Sequence, residues 1–132
     1  MDDEKPLAGI KVADFSMVYA GPICARMLGD NGADVTKIEP LGMGDTIRAN
    51  TRIFSHFNAG KKSIQIDLSQ DQGRSLAIKL IKDSDILIEN FRPGIMARFG
   101  LDYDTLKSRY PQLIYCSISG FGQSGPDSQR AA

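Results

Sequence analysis

Three consecutive residues of different chemistry, Asn90, Phe91 and Arg92, follow an apolar run in the second half of the chain. Arg98 would lie on the helical turn that comes after them. Guanidinium forks match phosphate oxygens, and aromatic rings stack on flat heterocycles, so this group suits an adenine ring that carries phosphates. The pattern therefore predicts an anionic, nucleotide-like ligand beyond this apolar run.

A second group of cations, Lys61 and Lys62, lies in the segment "NAGKKS" ahead of another apolar run. A single Lys or Arg is more often a solvated surface charge than a ligand contact. Each cation alone is therefore weak evidence, and only their convergence at strand ends would indicate a binding site.

The turn after the first apolar run indicates whether the chain could bind a dinucleotide. It reads "MVYAGP", and it lacks the G-x-G-x-x-G spacing that lets a pyrophosphate approach the backbone. We therefore expect no NAD-type domain.

Composition excludes several other partners. Sixteen Lys and Arg balance sixteen Asp and Glu, so no global field attracts nucleic acid or an anionic membrane. The apolar runs are much shorter than the roughly 20 residues of a membrane span. The polar start "MDDEKPLAG" has no apolar core of a signal peptide behind it. These features predict a cytoplasmic protein without a membrane or nucleic-acid partner.

The two cysteines, Cys24 and Cys116, are far apart in the sequence, and each lies inside an apolar segment. Neither forms a Cys-x-x-Cys or Cys/His spacing, so we predict reduced interior thiols and no metal site.

Short apolar runs alternate with helix-period segments along the whole chain, which predicts an α/β fold with a Rossmann-like, doubly wound parallel sheet. Several runs are apolar on both faces, as buried parallel strands are. The five predicted strands cover residues 10–16, 33–39, 63–68, 85–91 and 113–121.

Two helices are predicted from their apolar faces. The first follows Pro22, ends near Gly32, and would bury a stripe of four side chains, Ile23, Cys24, Met27 and Leu28. The second would begin with a capping box of Ser69 and Gln72 and bury Gly73, Leu76, Ala77, Leu80 and Ile81. Short helices are also expected after Pro93 and after Asp102. Residues 40–62 read as a long loop, which favours a functional excursion.

Five segments of the chain closely resemble, in the right order, the opening of family III CoA-transferases, the CaiB/BaiF group that includes carnitine CoA-transferase. They are "PLAGIKVADFSMVYAGPICARMLGDNGADVTKIEP", "GDTIR", "FNAGKKSIQIDL", "DILIENFRPGIMARFGLDYDTL" and "YPQLIYCSISGFGQSGP". The resemblance spans residues 6 to about 130. It implies that residues 1–132 form the N-terminal, incomplete CoA-binding part of the large Rossmann-like domain.

The resemblance also implies where CoA would bind. Matching positions follow the first, third and fourth strands and lie near the end of the chain: Tyr19, Ala20, Ile66, Asp67, Leu68, Ser69, Asn90, Phe91, Arg92, Arg98 and Arg130. Pro40 lies where some relatives carry an Arg for the nucleotide. Lys37 or Arg48 is the candidate replacement.

In this family an aspartate carboxylate attacks an acyl-CoA thioester to form a mixed anhydride, after which CoA passes to another acid. The resemblance places that aspartate beyond Ala132, so we predict no catalytic residue in this chain and no activity from it alone. It also implies an interlocked homodimer and a small carboxylic acid as co-substrate. Two alternatives remain open: α-methylacyl-CoA racemisation by the same family, and a non-catalytic CoA-binding remnant or α/β regulatory module.

None of the carboxylates at hand is a good nucleophile candidate. Asp14 reads as a structural carboxylate bonded to backbone, while Asp45 and Asp67 match no nucleophile position in the family. A nucleophile needs an oriented partner and an oxyanion site. The only histidine, His56, reads as a loop residue without a catalytic neighbour.

Overall fold

The computed structural model describes residues 5–130, and its centre is a five-stranded sheet in which all strands are parallel. The strands lie in the order β3-β2-β1-β4-β5. Their bounds are β1 Lys11–Asp14, β2 Asp34–Glu39, β3 Lys62–Gln65, β4 Ile86–Glu89 and β5 Ile114–Ser117. The prediction of five strands in a doubly wound parallel sheet is confirmed, although most of the strands are shorter than their apolar runs.

Helices cover both faces of this sheet. They are α1 Ala20–Asp30, α2 Thr51–Asn58, α3 Asp71–Lys82, α4 Ile95–Arg98 and α5 Tyr103–Lys107, and a 3-10 turn covers Thr46–Ala49. One apolar core lies between the sheet and α3, α4 and α5, and it includes Leu87, Ile81 and Leu106. The other lies under α1 and includes Val12, Ala25 and Ile88. Leu87 and Ile88 are both fully buried and point to opposite faces, which explains why β4 is apolar throughout.

The buried stripe predicted for α1 is partly wrong. Met27 is 61% exposed and Ile23 is 37% exposed, whereas Ala25 is fully buried. The cause lies at the start of the helix, where a Cβ on Gly21 would lie 2.1 Å from the Cβ of Ser16. This close approach turns the face with the small residues toward the sheet. Cys24 and Leu28 keep part of their predicted contacts, because both pack against the core under α1.

The capping box predicted for α3 is also wrong. The helix begins at Asp71, and Ser69 instead donates its hydroxyl to Asp67, with 2.6 Å between the two oxygens. A Cβ on Gly73 would lie 1.8 Å from the carbonyl oxygen of Asp67, so α3 packs tightly under this turn.

The predicted buried face of α3 is correct in its centre. Ala77 and Ile81 are fully buried and Leu80 is partly buried, but Leu76 is 40% exposed. The spacing of apolar residues therefore located the buried face of α3, and the outer edge of that face, at Leu76, is exposed to solvent.

Residues 40–62, predicted as a loop, contain the 3-10 turn and α2. His56 therefore lies in a helix and not in a loop, and its carbonyl oxygen accepts a hydrogen bond from Arg26 of α1. Asn50 caps α2 by accepting from the backbone N–H of Ile53 at 3.2 Å. The segment is thus an ordered excursion that packs beside α1.

Cys24 and Cys116 are free, half-buried thiols that pack against the core under α1. Burial, and next the neighbouring Cys24 thiol, raises the pKa of Cys116. The described part of the chain holds no cluster of three or more His, Cys, Asp or Glu side chains placed to bind a metal ion. Within residues 5–130, none of the helices combines the length and the hydrophobicity that a membrane crossing requires.

Ile81 and Leu76 lie on the same helix, α3, but differ in burial, so they give a matched test of the core. Ile81→Ala should lower the free energy of unfolding by about 2–5 kcal/mol, because it leaves a cavity beneath the sheet. Leu76→Ala on the same helix should cost about 1 kcal/mol or less, since that side chain is already partly solvated. Urea unfolding of both variants measures the difference, and equal losses would contradict the assignment of the buried face.

Candidate functional site

The candidate site lies at the edge of the sheet where the parallel strands end. β1 connects through α1 to β2 on one side, and β3 connects through α3 to β4 on the other side of β1. The chain therefore leaves β1 and β4 toward opposite faces of the sheet, which opens a crevice between them. Open α/β sheets bind ligands at such a reversal of strand order.

Residues 16–19, which we call the β1–α1 loop, form one wall of this crevice. The Asn90 side chain, just past β4, holds the loop from across the crevice: its Oδ1 accepts from the N–H of Met17, and its Nδ2 donates to the carbonyl oxygen of Met17, both at 2.8 Å. Tyr19 at the end of the loop is 48% exposed and contacts Phe57 of α2 edge to face. The predicted contacts Tyr19 and Asn90 are thus brought to one crevice.

Two lysines beneath the crevice are buried as ion pairs. The Nζ of Lys61 lies 2.8 Å from the Oδ2 of Asp14 and also donates to the carbonyl oxygen of Pro22 and to Asn58. Burial lowers the pKa of Lys61, and the Asp14 carboxylate opposes that shift. Lys61 is therefore a structural cation, and its role as a free ammonium at the strand end is excluded. The structural reading of Asp14 is confirmed, because it also accepts from the backbone N–H of Ser16 at 3.0 Å.

The second buried pair joins Lys37 of β2 to Asp45. The Nζ of Lys37 lies 3.0 Å from the Oδ2 of Asp45 and 2.6 Å from the carbonyl oxygen of Ser16. Both side chains are almost completely buried. Lys37 is therefore not free to replace the arginine that some relatives carry at the position of Pro40.

Arg48, the other candidate replacement, is held by Glu39. Its guanidinium donates through Nε at 2.7 Å and through a terminal nitrogen at 2.6 Å to the two oxygens of that carboxylate. It also lies 4.0 Å from the ring centroid of Phe54. Burial by itself would raise the pKa of Glu39, but hydrogen bonds from Arg48, the backbone of Asp45 and Ser63 lower it to about 2. Arg48 is thus part of the scaffold.

An apolar cavity of about 280 Å³ lies beyond the ends of β2 and β3. The turn after β3, predicted as a ligand contact, forms one side, and Phe91 forms another. The lining residues are Phe15, Ile38, Glu39, Pro40, Leu41, Ile66, Asp67, Leu68, Ser69, Phe91, Ile95 and Phe99. Its walls are mostly aliphatic and aromatic, so it suits a flat, weakly polar group.

A polar cavity of about 170 Å³ adjoins the apolar one, because Phe91 lines both. It lies beyond the ends of β4 and β5. Its lining residues are Asn90, Phe91, Arg92, Pro93, Ser119, Gly120, Ser128 and Arg130. The guanidinium of Arg130 stacks 4.8 Å from the ring centroid of Phe121 and lies 3.3 Å from Asp127.

Eight of the eleven predicted contacts line the two cavities, while Tyr19 lies in the β1–α1 loop and Ala20 begins α1 directly after it. Arg98 differs, because it is exposed at the end of α4 and lines neither cavity. Sequence reasoning missed Ile95, Phe99, Ser119 and Ser128. Ser119 could not have been found, because it lies inside the predicted strand 113–121, whereas β5 ends at Ser117. Ile95 of α4 and Phe99 just after it could not be found either, because only the packing of that short helix turns them toward the apolar cavity.

A third cavity, of about 470 Å³, lies over β4 and β5 on the face covered by α4 and α5. Glu89 and Ser117, the last residues of these strands, are among its lining residues, and Arg92 lines both this cavity and the polar one. Burial raises the pKa of Glu89, and this effect outweighs the hydrogen bonds from Ser117 and the backbone of Phe91.

Comparison with known proteins gives one family and consistent relatives. The family model "CoA-transferase family III" matches residues 7–132. An acyl-CoA transferase of Fusarium pseudograminearum is 42% identical over 91% of this chain and 30% of its own length. A succinate–glutarate CoA-transferase of Agrobacterium fabrum is also 42% identical, over 92% of this chain and 34% of its own length.

A solved structure agrees with these relatives. A CaiB/BaiF family protein from Brucella suis superposes with a TM-score of 0.93 at 41% identity, over 97% of this chain and 37% of the other. The chain thus spans about a third of the length of the proteins that it matches.

Glu39 supplies a pH test of the scaffold. Its pKa is about 2 in the folded chain and ordinarily 4.5, so its stabilising effect is complete above pH 4.5 and is lost as the pH falls toward 2. At pH 7, Glu39→Gln should lower the free energy of unfolding by on the order of 3 kcal/mol. Urea unfolding between pH 7 and pH 2.5 should show the gap between wild type and variant closing.

Glu89→Gln serves as the contrast. The pKa of Glu89 is raised, so wild type should gain stability relative to this variant on moderate acidification. A gap for Glu39→Gln that does not change with pH would contradict the role given to Glu39.

Proposed function

Because this chain belongs to CoA-transferase family III, we propose that it binds CoA along the carboxyl edge of its sheet, as the N-terminal part of an enzyme that moves CoA from an acyl-CoA to a carboxylic acid. The observation that carries this proposal is the pair of adjoining cavities, one apolar and one lined by two arginines, that share Phe91. A nucleotide needs that combination of a slot for a ring and cations for phosphates.

The apolar cavity is proposed to take the adenine ring. Leu68 and Ile95 would contact its faces, and the ring of Phe91 gives an aromatic surface at the exit toward the polar cavity. Pro40 lies in the same cavity and adds apolar surface. An arginine at that position in relatives would add a charge that this chain lacks there.

The polar cavity is proposed to take the phosphates. Arg92 and Arg130 supply guanidinium groups from two different segments, and Ser119 and Ser128 supply hydroxyl groups. Arg98 is exposed near the same edge and would reach a phosphate that protrudes from the cavity. Guanidinium groups form paired hydrogen bonds with phosphate oxygens, which fixes orientation as well as charge.

The pantetheine arm would then pass along the crevice toward the start of α1. Tyr19 and Ala20 stand there, and the amide of Asn90 fixes the backbone of Met17 next to them. This course would bring the thioester to the exposed side of Tyr19.

The reaction is proposed to follow the anhydride route. A carboxylate oxygen attacks the thioester carbonyl, the C–S bond breaks, and CoA leaves as a thiolate while an acyl-aspartyl anhydride forms. The thiolate then attacks the aspartyl carbonyl and releases the first acid, which leaves an aspartyl-CoA thioester. The carboxylate of the second acid attacks this thioester and frees the thiolate again, and the thiolate finally takes the new acyl group from the second anhydride, which restores the aspartate. Asp14 and Asp45 are buried in ion pairs with Lys61 and Lys37, which supports a nucleophile from outside residues 5–130.

Small dicarboxylates are the proposed acids. The Agrobacterium relative is named for succinate and glutarate, which favours acids with two carboxylates and favours transfer over racemisation. We further propose a cytoplasmic, interlocked homodimer. Exposed apolar side chains, among them Met27 on α1 and Ile114 on β5, support the view that further protein covers these surfaces.

Transfer itself is tested with the protein as expressed from its own gene. Incubation with succinyl-CoA and glutarate should produce glutaryl-CoA and succinate, which mass spectrometry resolves. A branched α-methylacyl-CoA should keep its configuration under the same conditions. Loss of configuration without acid exchange would favour racemisation. If the protein catalyses neither reaction, the non-catalytic alternative remains.

The arginines are tested by calorimetry with CoA. Arg92→Ala should weaken binding by about tenfold and Arg98→Ala by less, because a lost charged hydrogen bond costs about 1.5–3 kcal/mol where water is partly excluded. Arg109→Ala is the matched control, since this exposed arginine precedes β5 and so lies near the opposite edge of the sheet. Equal affinities for all four proteins would remove both arginines from the site.

A further inference from the structure

The β1–α1 loop is held by side chains from four separate segments, of which all but Asn90 are fully buried. Asp14 accepts from the N–H of Ser16, and Lys37 donates to its carbonyl oxygen. Asn90 bonds both polar backbone groups of Met17. Asp45 accepts from the N–H of Val18, which lies 3.1 Å from each of its carboxylate oxygens. Five consecutive polar groups of the backbone thus bond to side chains and not to other backbone groups.

Val18 adopts a backbone conformation that its side chain disfavours. Its φ is 69°, and it is the only described residue other than glycine with a positive φ. A β-branched residue in this left-handed region costs on the order of 1–3 kcal/mol, so the surrounding contacts must enforce it. The contact that acts on this residue directly is the hydrogen bond from its N–H to Asp45.

Asp45 is itself fixed from several sides. Its side chain is fully buried, paired with Lys37 at 3.0 Å, and it also accepts from the N–H of Ile47. Its own backbone N–H donates to Glu39 at 2.8 Å. A residue that only capped the 3-10 turn would need the bond to Ile47 alone. Through its further bonds, to Lys37 and Glu39 of β2 and to Val18, Asp45 therefore links β2 to the β1–α1 loop.

We propose that Asp45 is a positioning residue for the CoA site. By holding Val18 in the left-handed conformation, it sets the direction in which the chain enters α1 and so the placement of Tyr19 and Ala20. The inference rests on the proposed function for its ligand, but the mechanical part, that Asp45 orders the β1–α1 loop, does not depend on it. Asp45 makes no contact with CoA in this proposal and acts through Val18.

The test combines hydrogen exchange with CoA binding, using the protein as expressed from its own gene. Asp45→Ala should increase amide exchange in residues 16–21 and weaken CoA binding by about tenfold, since it removes the acceptor that enforces a strained residue. Asp102→Ala is the matched control, because Asp102 caps α5 through Thr105 and does not contact the loop. It should change neither readout.

A buried Lys37 without its partner can prevent folding, so a second variant keeps the test decisive. The double variant Lys37→Met and Asp45→Ala leaves no unpaired charge and should show the same faster exchange and weaker binding. Faster exchange with unchanged affinity, or unchanged exchange, in the folded variant would overturn the proposal.

The variant Val18→Gly tests whether Asp45 acts on the site by holding Val18 at a positive φ. Glycine adopts a positive φ without strain, so Asp45→Ala should weaken CoA binding less in the Val18→Gly background, by about threefold and not tenfold. Equal losses in both backgrounds would exclude Val18 as the link. If wild type binds no CoA, the proposed function fails, and the exchange measurement alone still decides whether Asp45 orders the loop.

Discussion

Three buried ion pairs at the carboxyl edge of the sheet determine how the segments around them pack. Asp14 with Lys61, Lys37 with Asp45, and Glu39 with Arg48 place at least one almost fully buried charge in each pair. A buried charge without a partner costs several kcal/mol, so the segments that carry these residues can only pack in the arrangement that joins them. Residues 40–62 must therefore fold back over the ends of β1 and β2, and α2 must lie beside α1.

The crevice follows from this arrangement. The ion pairs hold the β1–α1 loop from below, while Asn90 holds it from the side of β4, so side chains bonded to this loop set both walls of the crevice. The cations that remain beside the cavities, Arg92 and Arg130, come from loops after β4 and β5. At this edge, Lys37, Lys61 and Arg48 thus belong to the scaffold, whereas Arg92 and Arg130 line the polar cavity.

The two kinds of cation cannot be separated by their residue type or by their place near strand ends. Lys61 lies in a segment that reads as a turn with ammonium groups, yet it is a buried structural cation, since its side chain is only 2% exposed. The same limit explains the errors in α1 and α3. Helical periodicity identifies an apolar stripe, but the close approach of Gly21 to Ser16 and of Gly73 to Asp67 decides which part of that stripe meets the sheet.

The amino-acid sequence by itself determined the number of strands, their parallel arrangement and the edge of the sheet at which most of the predicted contacts lie. These follow from local patterns, because apolar runs and helix signals are contiguous and β-α-β connections allow one hand. Only the tertiary structure decided which charges pair and which residues line each cavity. The partners of those contacts are distant in the chain. Met17 and Asn90, for example, are 73 positions apart, and no local sequence pattern predicts that they contact each other.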